Sequence, residues 1–290
     1  MTVEEQLRRE SAGRTLAVAG AAAAAVLQLA GAIWRTAAFH NSPSGKNKDA
    51  AQLLFVHHHA GALVGSSVVA GVGAVAMVLA LRYLYDATKF RRPELPPVAR
   101  YCAIGGPVIF LAGQVASSIL IAGKASDFSH LAHAAQTNHA AKHIVDTGAL
   151  KIAAGGALAG QLALGFAFVL ISLNAMRVGL LSRFMGVLGI IVGILFVVPI
   201  GSPVPVVQAF WLVALAVLFA GRWPSGEPPA WSSGRAEPWP SPQQMRERAR
   251  DGAGGAAAAP PDRTAEPEPV PAGGGAGGNR QRRRKRKKRR

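Results

Sequence analysis

The sequence predicts an all-α protein, a polytopic membrane bundle of six transmembrane helices followed by a disordered C-terminal tail. Two observations predict this fold class. Half of the 290 residues are hydrophobic and only 16% are charged, and the apolar residues form long uncharged blocks before Gly221. Of the 32 Lys and Arg residues, 16 follow Gly221. The single cysteine, Cys102, excludes a disulfide framework and a cysteine-based metal site.

Six blocks before Gly221 are candidates for membrane-spanning helices. A bilayer core about 30 Å thick requires about 20 mostly apolar helical residues. The expected helices are 16–34, 60–81, 102–123, 152–173, 184–200 and 204–221. The last two are short, and the Gly-Ser-Pro sequence between them is typical of a tight turn. The alternative is five helices, with one long tilted helix over 184–221, although that length exceeds what a bilayer needs.

The segment before the first block, residues 1–15, is predicted to be a cytoplasmic N-terminal segment. It contains Glu4, Glu5 and Glu10, and the apolar run after it is longer than the h-region of a signal peptide, so a cleaved signal is not expected. Thr2 followed by Glu5 resembles a capping box that opens a short amphipathic helix.

The distribution of Lys and Arg in the loops predicts the orientation. The first, third and fifth aqueous segments contain ten of these residues and the alternate segments contain six, and the tail widens the difference. Positive residues accumulate on the cytoplasmic side of membrane proteins. Both termini are therefore expected in the cytoplasm, and the protein in the inner (plasma) membrane of a bacterial cell.

Glycine spacing indicates how the helices pack. Lipid tails are as apolar as leucine, so helices in a bilayer associate through close contact over small residues. Pairs of glycines one turn apart occur at Gly61 and Gly65, Gly156 and Gly160, and Gly189 and Gly193. These pairs are interpreted as generic helix-packing positions and not as evidence of dimerisation.

The C-terminal tail, 222–290, is predicted to be disordered and cytoplasmic. It contains no Leu, Ile or Phe, so burial would not offset the entropy of ordering it. Its end, 281–290, is basic at nine of ten positions. Such a run can contact anionic lipid or RNA, or can be an inert solvated cluster. The residues expected to make the contact are Arg282, Arg283, Arg284, Lys285, Arg286, Lys287, Lys288, Arg289 and Arg290.

The eight histidines all fall on the predicted extracytoplasmic side. His130 with His133, and His139 with His143, have spacings at which two imidazoles on a helix can chelate a transition metal. On one continuous helix the two pairs would point in nearly opposite directions, so a common site would need a break near Asn138. The alternatives are imidazoles that simply favour a membrane boundary, and a pH sensor. Asp127 and Asp146 flank the histidines and could complete a site or cap helices.

Catalytic motifs are absent from the sequence. It contains no P-loop, no GxSxG, no Gly-rich dinucleotide turn and no HExxH. No predicted span has an ionisable residue in its middle, as ion-conducting proteins usually do. Polar groups in or beside the spans that could line a cavity, or hydrogen-bond a neighbouring helix, include Gln28, Gln114, Gln161 and Asn174. No enzymatic activity and no resident cofactor are expected, apart from a divalent transition metal if the histidines are ligands.

Three segments near the last two helices carry a resemblance. They are AMRVGLLSRFMGVLGIIVG, PIGSPVPVVQAFW and FAGRWPSGEPPAW, between residues 175 and 231. They resemble an uncharacterised family of multi-pass bacterial membrane proteins, a domain of unknown function from high-GC organisms. The resemblance implies a multi-pass topology and no particular activity.

The sequence supports two alternative functions. The first is an integral membrane protein, not an enzyme, whose polybasic cytoplasmic tail contacts anionic lipid or RNA. The second is a small-solute or metal-ion handling membrane protein with an extracytoplasmic histidine site.

Overall fold

The computed structural model describes residues 2–198, 205–224, 226 and 228–239. The regular elements of these residues are all helices, without a strand, so the predicted all-α class is confirmed. A 3-10 turn at His133–Ala135 precedes the fifth helix. The α-helices are α1 (Val3–Phe39), α2 (Asp49–His58), α3 (Ala60–Arg91), α4 (Val98–Ser129), α5 (Asn138–Val145), α6 (Gly148–Arg177), α7 (Arg183–Val197), α8 (Val206–Phe219) and α9 (Pro229–Ser233).

Four helices, α1, α3, α4 and α6, are long and apolar enough to cross a membrane. The apolar helices α7 and α8 have 15 and 14 residues, or about 22 and 21 Å at 1.5 Å per residue. The alternative of one continuous helix over 184–221 is wrong, because α7 ends at Val197 and Val198 has extended backbone angles. The connecting residues 199–204 lie outside the described part of the chain.

The N-terminal segment is part of the first helix and is not a separate element. Thr2 Oγ1 accepts a hydrogen bond from Glu5 N at 3.3 Å, and Thr2 N donates to Glu5 Oε2 at 2.9 Å, so the predicted capping box is formed. From this cap α1 continues without interruption to Phe39. The expectation of a short helix is corrected, since good helix formers join this segment to the apolar block. The cytoplasmic location of residues 1–15 stays a prediction.

The long helices pack in sequence order around a closed path. α1 lies along α3, α3 along α4, α4 along α6 and α6 along α7, while α8 packs on α1 and closes the path. Trp211 of α8 is fully buried and its Nε1 donates to Met185 O of α7 at 2.9 Å. A smaller apolar cluster lies under α2 and α5, around Leu53, Val56 and Phe128.

Glycines allow α4 and α6 to approach closely. A Cβ atom on Gly113 would lie 2.3 Å from Ala157 N, and one on Gly160 would lie 2.4 Å from Phe110 N. Backbone atoms are the obstacles, so the helices would have to move apart to admit a side chain. Small residues at helix contacts permit this packing inside a membrane.

The predicted glycine pairs are only partly used. Gly189 and Gly193 both contact α6, as expected for a packing stripe. In the other two pairs one member faces open space, since a Cβ atom on Gly61 or Gly156 would meet nothing within 4 Å. Spacing indicates a helical face, but the partner helix is known only from the structure.

Replacing Gly160 with alanine is expected to destabilise the bundle by about 1–3 kcal/mol, because its methyl group would overlap the α4 backbone. Gly156→Ala, one turn away on α6, is the matched control and should be neutral or stabilising by up to about 1 kcal/mol. The measurement is reversible unfolding of the purified protein in mixed micelles. Equal losses in both variants would contradict the described α4–α6 contact.

Candidate functional site

The predicted metal ligands are distributed over three elements. His130 follows the end of α4, His133 lies in the 3-10 turn, and His139 and His143 lie on α5. Among the described residues, no three His, Cys, Asp or Glu side chains form a group that could hold a metal ion. The break that a common site would need is present, since α4 ends at Ser129 and α5 begins at Asn138, but it does not bring three of the four histidines together.

Several histidines make local contacts at helix ends. His59 stacks on Phe55 with ring centroids 4.0 Å apart, and its Nδ1 lies 2.9 Å from Phe55 O. His40 Nδ1 lies 2.7 Å from Ala37 O. The interpretation of the remaining histidines as boundary residues, metal ligands or pH sensors stays a prediction.

The carboxylates beside the histidines are engaged by lysines. Asp127 Oδ2 lies 3.4 Å from Lys124 Nζ, and Asp146 Oδ1 lies 2.5 Å from Lys151 Nζ. The hydrogen bond from Lys151 holds the pKa of Asp146 below its usual value, with the charge of Lys151 adding to the effect. The helix-cap interpretation of these two residues is wrong at the helix starts, since the side chains that cap α5 and α6 belong to Thr137 and Thr147.

The polar residues within or beside the predicted spans have different environments. Gln161 Nε2 donates to Phe196 O of α7 at 2.7 Å, which joins two helices. Asn174 Nδ2 donates to Leu170 O within its own helix at 2.7 Å. Gln28 Nε2, Ser172 Oγ and Gln208 Nε2 are buried without a hydrogen-bond partner in the described part of the chain. These three groups lie on different helices, α1, α6 and α8.

A buried ion pair connects α1 to α3 at the end of the bundle where α1 begins. Glu10 Oε1 is 2.6 Å from Arg91 Nη1, and Glu10 Oε2 is 3.0 Å from Arg91 Nη2. The side chains are 7% and 0% exposed respectively. Gln6 Nε2 donates a further hydrogen bond to Glu10 Oε1 at 2.8 Å. The two parallel N–H···O contacts are the bidentate geometry that makes Arg–carboxylate pairs strong.

The same guanidinium holds a segment far along the chain. Arg91 Nε and Nη2 donate to Ala230 O at 3.0 and 2.7 Å, and Nη1 donates to Ala87 O at 2.9 Å. Together with the two bonds to Glu10, these contacts use the five N–H donors of an arginine side chain. A buried charge is tolerated when it is paired and its donors are satisfied.

Trp231 covers the ion pair. It is 7% exposed, and its ring lies 5.7 Å from Arg91 Cζ. The indole stacks on Tyr83 with centroids 5.5 Å apart and meets Phe219 edge to face at 5.8 Å, while its Nε1 donates to Leu180 O at 3.1 Å. We call the assembly of Glu10, Arg91, Ala230 and Trp231 the arginine clamp. It joins α1, α3, the α6–α7 connection, α8 and α9.

The clamp corrects the predicted start of the tail. The folded unit extends to Trp239, and Glu237 N donates to Val178 O at 3.2 Å. Gly234, with φ of 67°, packs against Val3 and Leu7 of α1. Disorder from Arg222 onward is therefore wrong for 228–239, because the buried Trp231 provides apolar area that the count of Leu, Ile and Phe did not include. The basic run Arg282–Arg290 lies outside the described residues.

Sequence reasoning missed both charged members of the clamp. In the sequence Glu10 and Arg91 belong to separate aqueous segments. Arg91 has basic neighbours, and no local pattern indicates that it, and not one of them, is buried. The Pro-Pro-Ala-Trp sequence at 228–231 could have indicated a short packed helix here, since proline favours the first turn of a helix and tryptophan is usually largely buried.

The comparisons with known proteins gave no match to a protein-family model, a curated protein or a solved structure. The resemblance to an uncharacterised bacterial membrane family therefore stays a prediction.

Replacing Glu10 with alanine should open the arginine clamp. The substitution leaves the Arg91 guanidinium buried without its carboxylate, which destabilises folded proteins by about 3–5 kcal/mol. Trypsin should then cut after the exposed Arg235 about 100-fold faster than in the parent, as measured by mass spectrometry of the fragments.

The matched control is Asp86→Ala, which removes the carboxylate of the exposed Arg82–Asp86 pair at 3.6 Å. Exposed pairs contribute little, so cleavage at Arg235 should change less than about threefold. If Glu10→Ala and Asp86→Ala behave alike, the buried pair does not hold the C-terminal segment.

Proposed function

We propose that the chain is a multi-pass integral protein of the bacterial inner membrane, without enzymatic activity, whose polybasic C-terminal tail contacts anionic lipid. The observation that carries the membrane assignment is the apolar outer surface of the bundle. Each of the six apolar helices exposes a large apolar side chain by 45–64%; examples are Val26, Val72, Ile119, Phe166, Ile194 and Phe210. Water-soluble proteins rarely expose large apolar side chains on so many helices, whereas a bilayer solvates them.

Six crossings are proposed, with α7 and α8 as the last pair. Leu180, just before α7, accepts a hydrogen bond from Trp231, and Phe219, at the end of α8, contacts the same ring. α7 therefore begins, and α8 ends, at the end of the bundle that holds the arginine clamp. Helices of about 22 Å are short for a bilayer, and local thinning or the flanking apolar residues would accommodate them.

The end of the bundle that holds the arginine clamp is proposed to face the cytoplasm. Basic residues at two connections, α3–α4 and α6–α7, and at the α1 start are found at this end, and positive residues favour the cytoplasmic side. They are Arg8, Arg9, Arg14, Arg82, Lys89, Arg91, Arg92, Arg100, Arg177 and Arg183. Contact between Gly234 and Val3 brings the two ends of the folded unit to the same side, as an even number of crossings requires.

Anionic lipid is proposed as the partner of the basic run. Each basic residue near an anionic leaflet contributes about 1 kcal/mol, and the covalent connection keeps the leaflet within reach. RNA would use the same charge through counterion release, but the chain from Gly252 to Arg290 has no aromatic residue to stack on a base. Lipid is therefore the preferred partner.

The orientation is tested with single cysteines in a Cys102→Ser background. Ala134→Cys lies in the exposed 3-10 turn, and Glu94→Cys lies in the α3–α4 connection, where the Glu94 side chain is 82% exposed. An impermeant maleimide should label position 134 in intact cells and position 94 only after lysis. Labelling of position 94 from outside would contradict the proposed orientation.

The tail is tested with a peptide covering 240–290, which begins after the folded unit. It should bind vesicles containing phosphatidylglycerol and dissociate as salt rises, since charge attraction is screened within about 10 Å at 0.1 M. The control peptide carries glutamine at the nine basic positions of 282–290 and should bind at least about 100-fold more weakly. If the peptide binds RNA more tightly than these vesicles in the same buffer, RNA and not anionic lipid is the partner of the basic run.

A further inference from the structure

A groove of about 830 Å³ lies between the N-terminal part of α1, the C-terminal part of α3 and the start of α4. Glu10 of the arginine clamp contributes to its wall, as does Ala87, whose carbonyl accepts a hydrogen bond from Arg91. We call it the basic groove. Its defining residues are Arg9, Leu16, Leu79, Arg82, Arg100 and Tyr101.

Two guanidinium groups in the groove have no partner in the described part of the chain. The other charged groups of the wall are engaged: Glu10 is neutralised by Arg91, and Asp86 lies 3.6 Å from Arg82. Lys89 Nζ donates to two carbonyl oxygens of the α3–α4 connection, at 2.5 and 2.6 Å.

The two unpaired groups belong to Arg9 and Arg100. Both residues are exposed, and no ion pair or side-chain hydrogen bond joins either to another described residue. The groove therefore presents positive charge that the described protein does not neutralise. A ligand with negative charge would complement it.

The groove has a charged half and an apolar half. Leu16, the first residue of the apolar block of α1, is 58% exposed, and Leu79, near the end of the block of α3, is 37% exposed. Tyr101, directly before the block of α4, is 72% exposed. The polar-to-apolar boundaries of three helices thus meet in one groove. Tyrosine at such a boundary is typical of the headgroup level of a bilayer.

We propose that the basic groove binds one anionic phospholipid of the surrounding leaflet. Its phosphate contacts the guanidinium groups of Arg9 and Arg100, and its acyl chains lie along Leu16 and Leu79. Guanidinium suits this role because its N–H donors match the geometry of a phosphate. The proposal rests on the membrane placement and cytoplasmic orientation proposed above, and it is independent of the tail.

A lipid fits the groove better than a soluble phosphate compound because of the apolar half. A soluble ligand would leave Leu16 and Leu79 uncovered, whereas acyl chains cover them within the bilayer. The charge of the groove also selects among lipids, since a zwitterionic headgroup has no net charge to complement Arg9 and Arg100.

The test uses the full chain in which the nine basic residues of 282–290 are changed to glutamine, so that the tail does not contribute. Native mass spectrometry of this protein with equal amounts of phosphatidylglycerol and phosphatidylcholine should show one preferentially retained phosphatidylglycerol. Adding Arg9→Gln and Arg100→Gln should weaken that binding by at least about tenfold. Arg9→Lys with Arg100→Lys, which keeps the charge, should lose less affinity than the glutamine pair.

The matched control is Arg8→Gln with Arg177→Gln, which removes the same charge from exposed positions outside the groove. It should change phosphatidylglycerol binding less than twofold, and all variants should keep the unfolding midpoint of their parent. Equal weakening by control and groove variants would overturn the proposal, because it would reveal a diffuse charge effect.

Two further outcomes would also overturn the proposal. Loss of preferential phosphatidylglycerol retention on neutralising the tail alone would rule out the groove while leaving the function proposed for the tail intact. Binding of glycerol 3-phosphate with the affinity of phosphatidylglycerol would rule out the lipid assignment, because the acyl chains would then contribute nothing.

Discussion

The burial of one arginine side chain constrains the arrangement at one end of the bundle. Arg91 has 0% side-chain exposure, so each of its N–H donors needs an acceptor within the protein. Glu10 supplies the charge, Ala87 supplies a carbonyl on the same helix, and Ala230 supplies the last two contacts. Residues about 80 and 140 positions away in sequence are thereby fixed around a single group. Removing either partner would leave a buried charge incompletely satisfied, which is why the clamp should respond as a unit.

Along the remainder of the bundle, the packing depends on small residues and not on charge. Gly113 and Gly160 let α4 and α6 approach until backbone atoms are in contact, while large apolar side chains both fill the core, as Phe168 does, and face outward, as Ile119 does. Apolar side chains on the outer face as well as in the core are compatible with helices in lipid, where small residues permit close helix contact. Hydrogen bonds such as that between Ser67 Oγ and Ser118 Oγ, at 2.7 Å, add local connections between helices.

The helical class and the approximate position of every apolar helix could be predicted from the sequence, because a run of apolar residues is a local signal. The Thr2–Glu5 cap was predictable for the same reason. The clamp was not, since the role of Glu10 and Arg91 depends on contacts between distant parts of the chain. The predicted start of the tail was placed too early, because the absence of Leu, Ile and Phe from 222–290 gives no indication that a single tryptophan, Trp231, is buried against the bundle. The break before Asn138 that a common histidine site would need was predictable from the spacing, but whether the side chains meet depends on the fold, and no three of them do among the described residues.

The clamp and the basic groove share a residue at the same end of the folded unit. Glu10 belongs to the clamp and to the groove wall, so the buried pair also neutralises a carboxylate that would otherwise repel an anionic ligand. Residues 228–239 belong to the folded unit because Arg91 and Trp231 hold them.

Hydrogen–deuterium exchange of the full chain in lipid nanodiscs tests whether 228–239 are held in the folded unit. The amides of Trp231 and Glu237 donate to Pro228 O and Val178 O, so both should exchange at least about 100-fold more slowly than in an unstructured peptide. Exchange of both amides at the rate of such a peptide would contradict the placement of 228–239 in the folded unit.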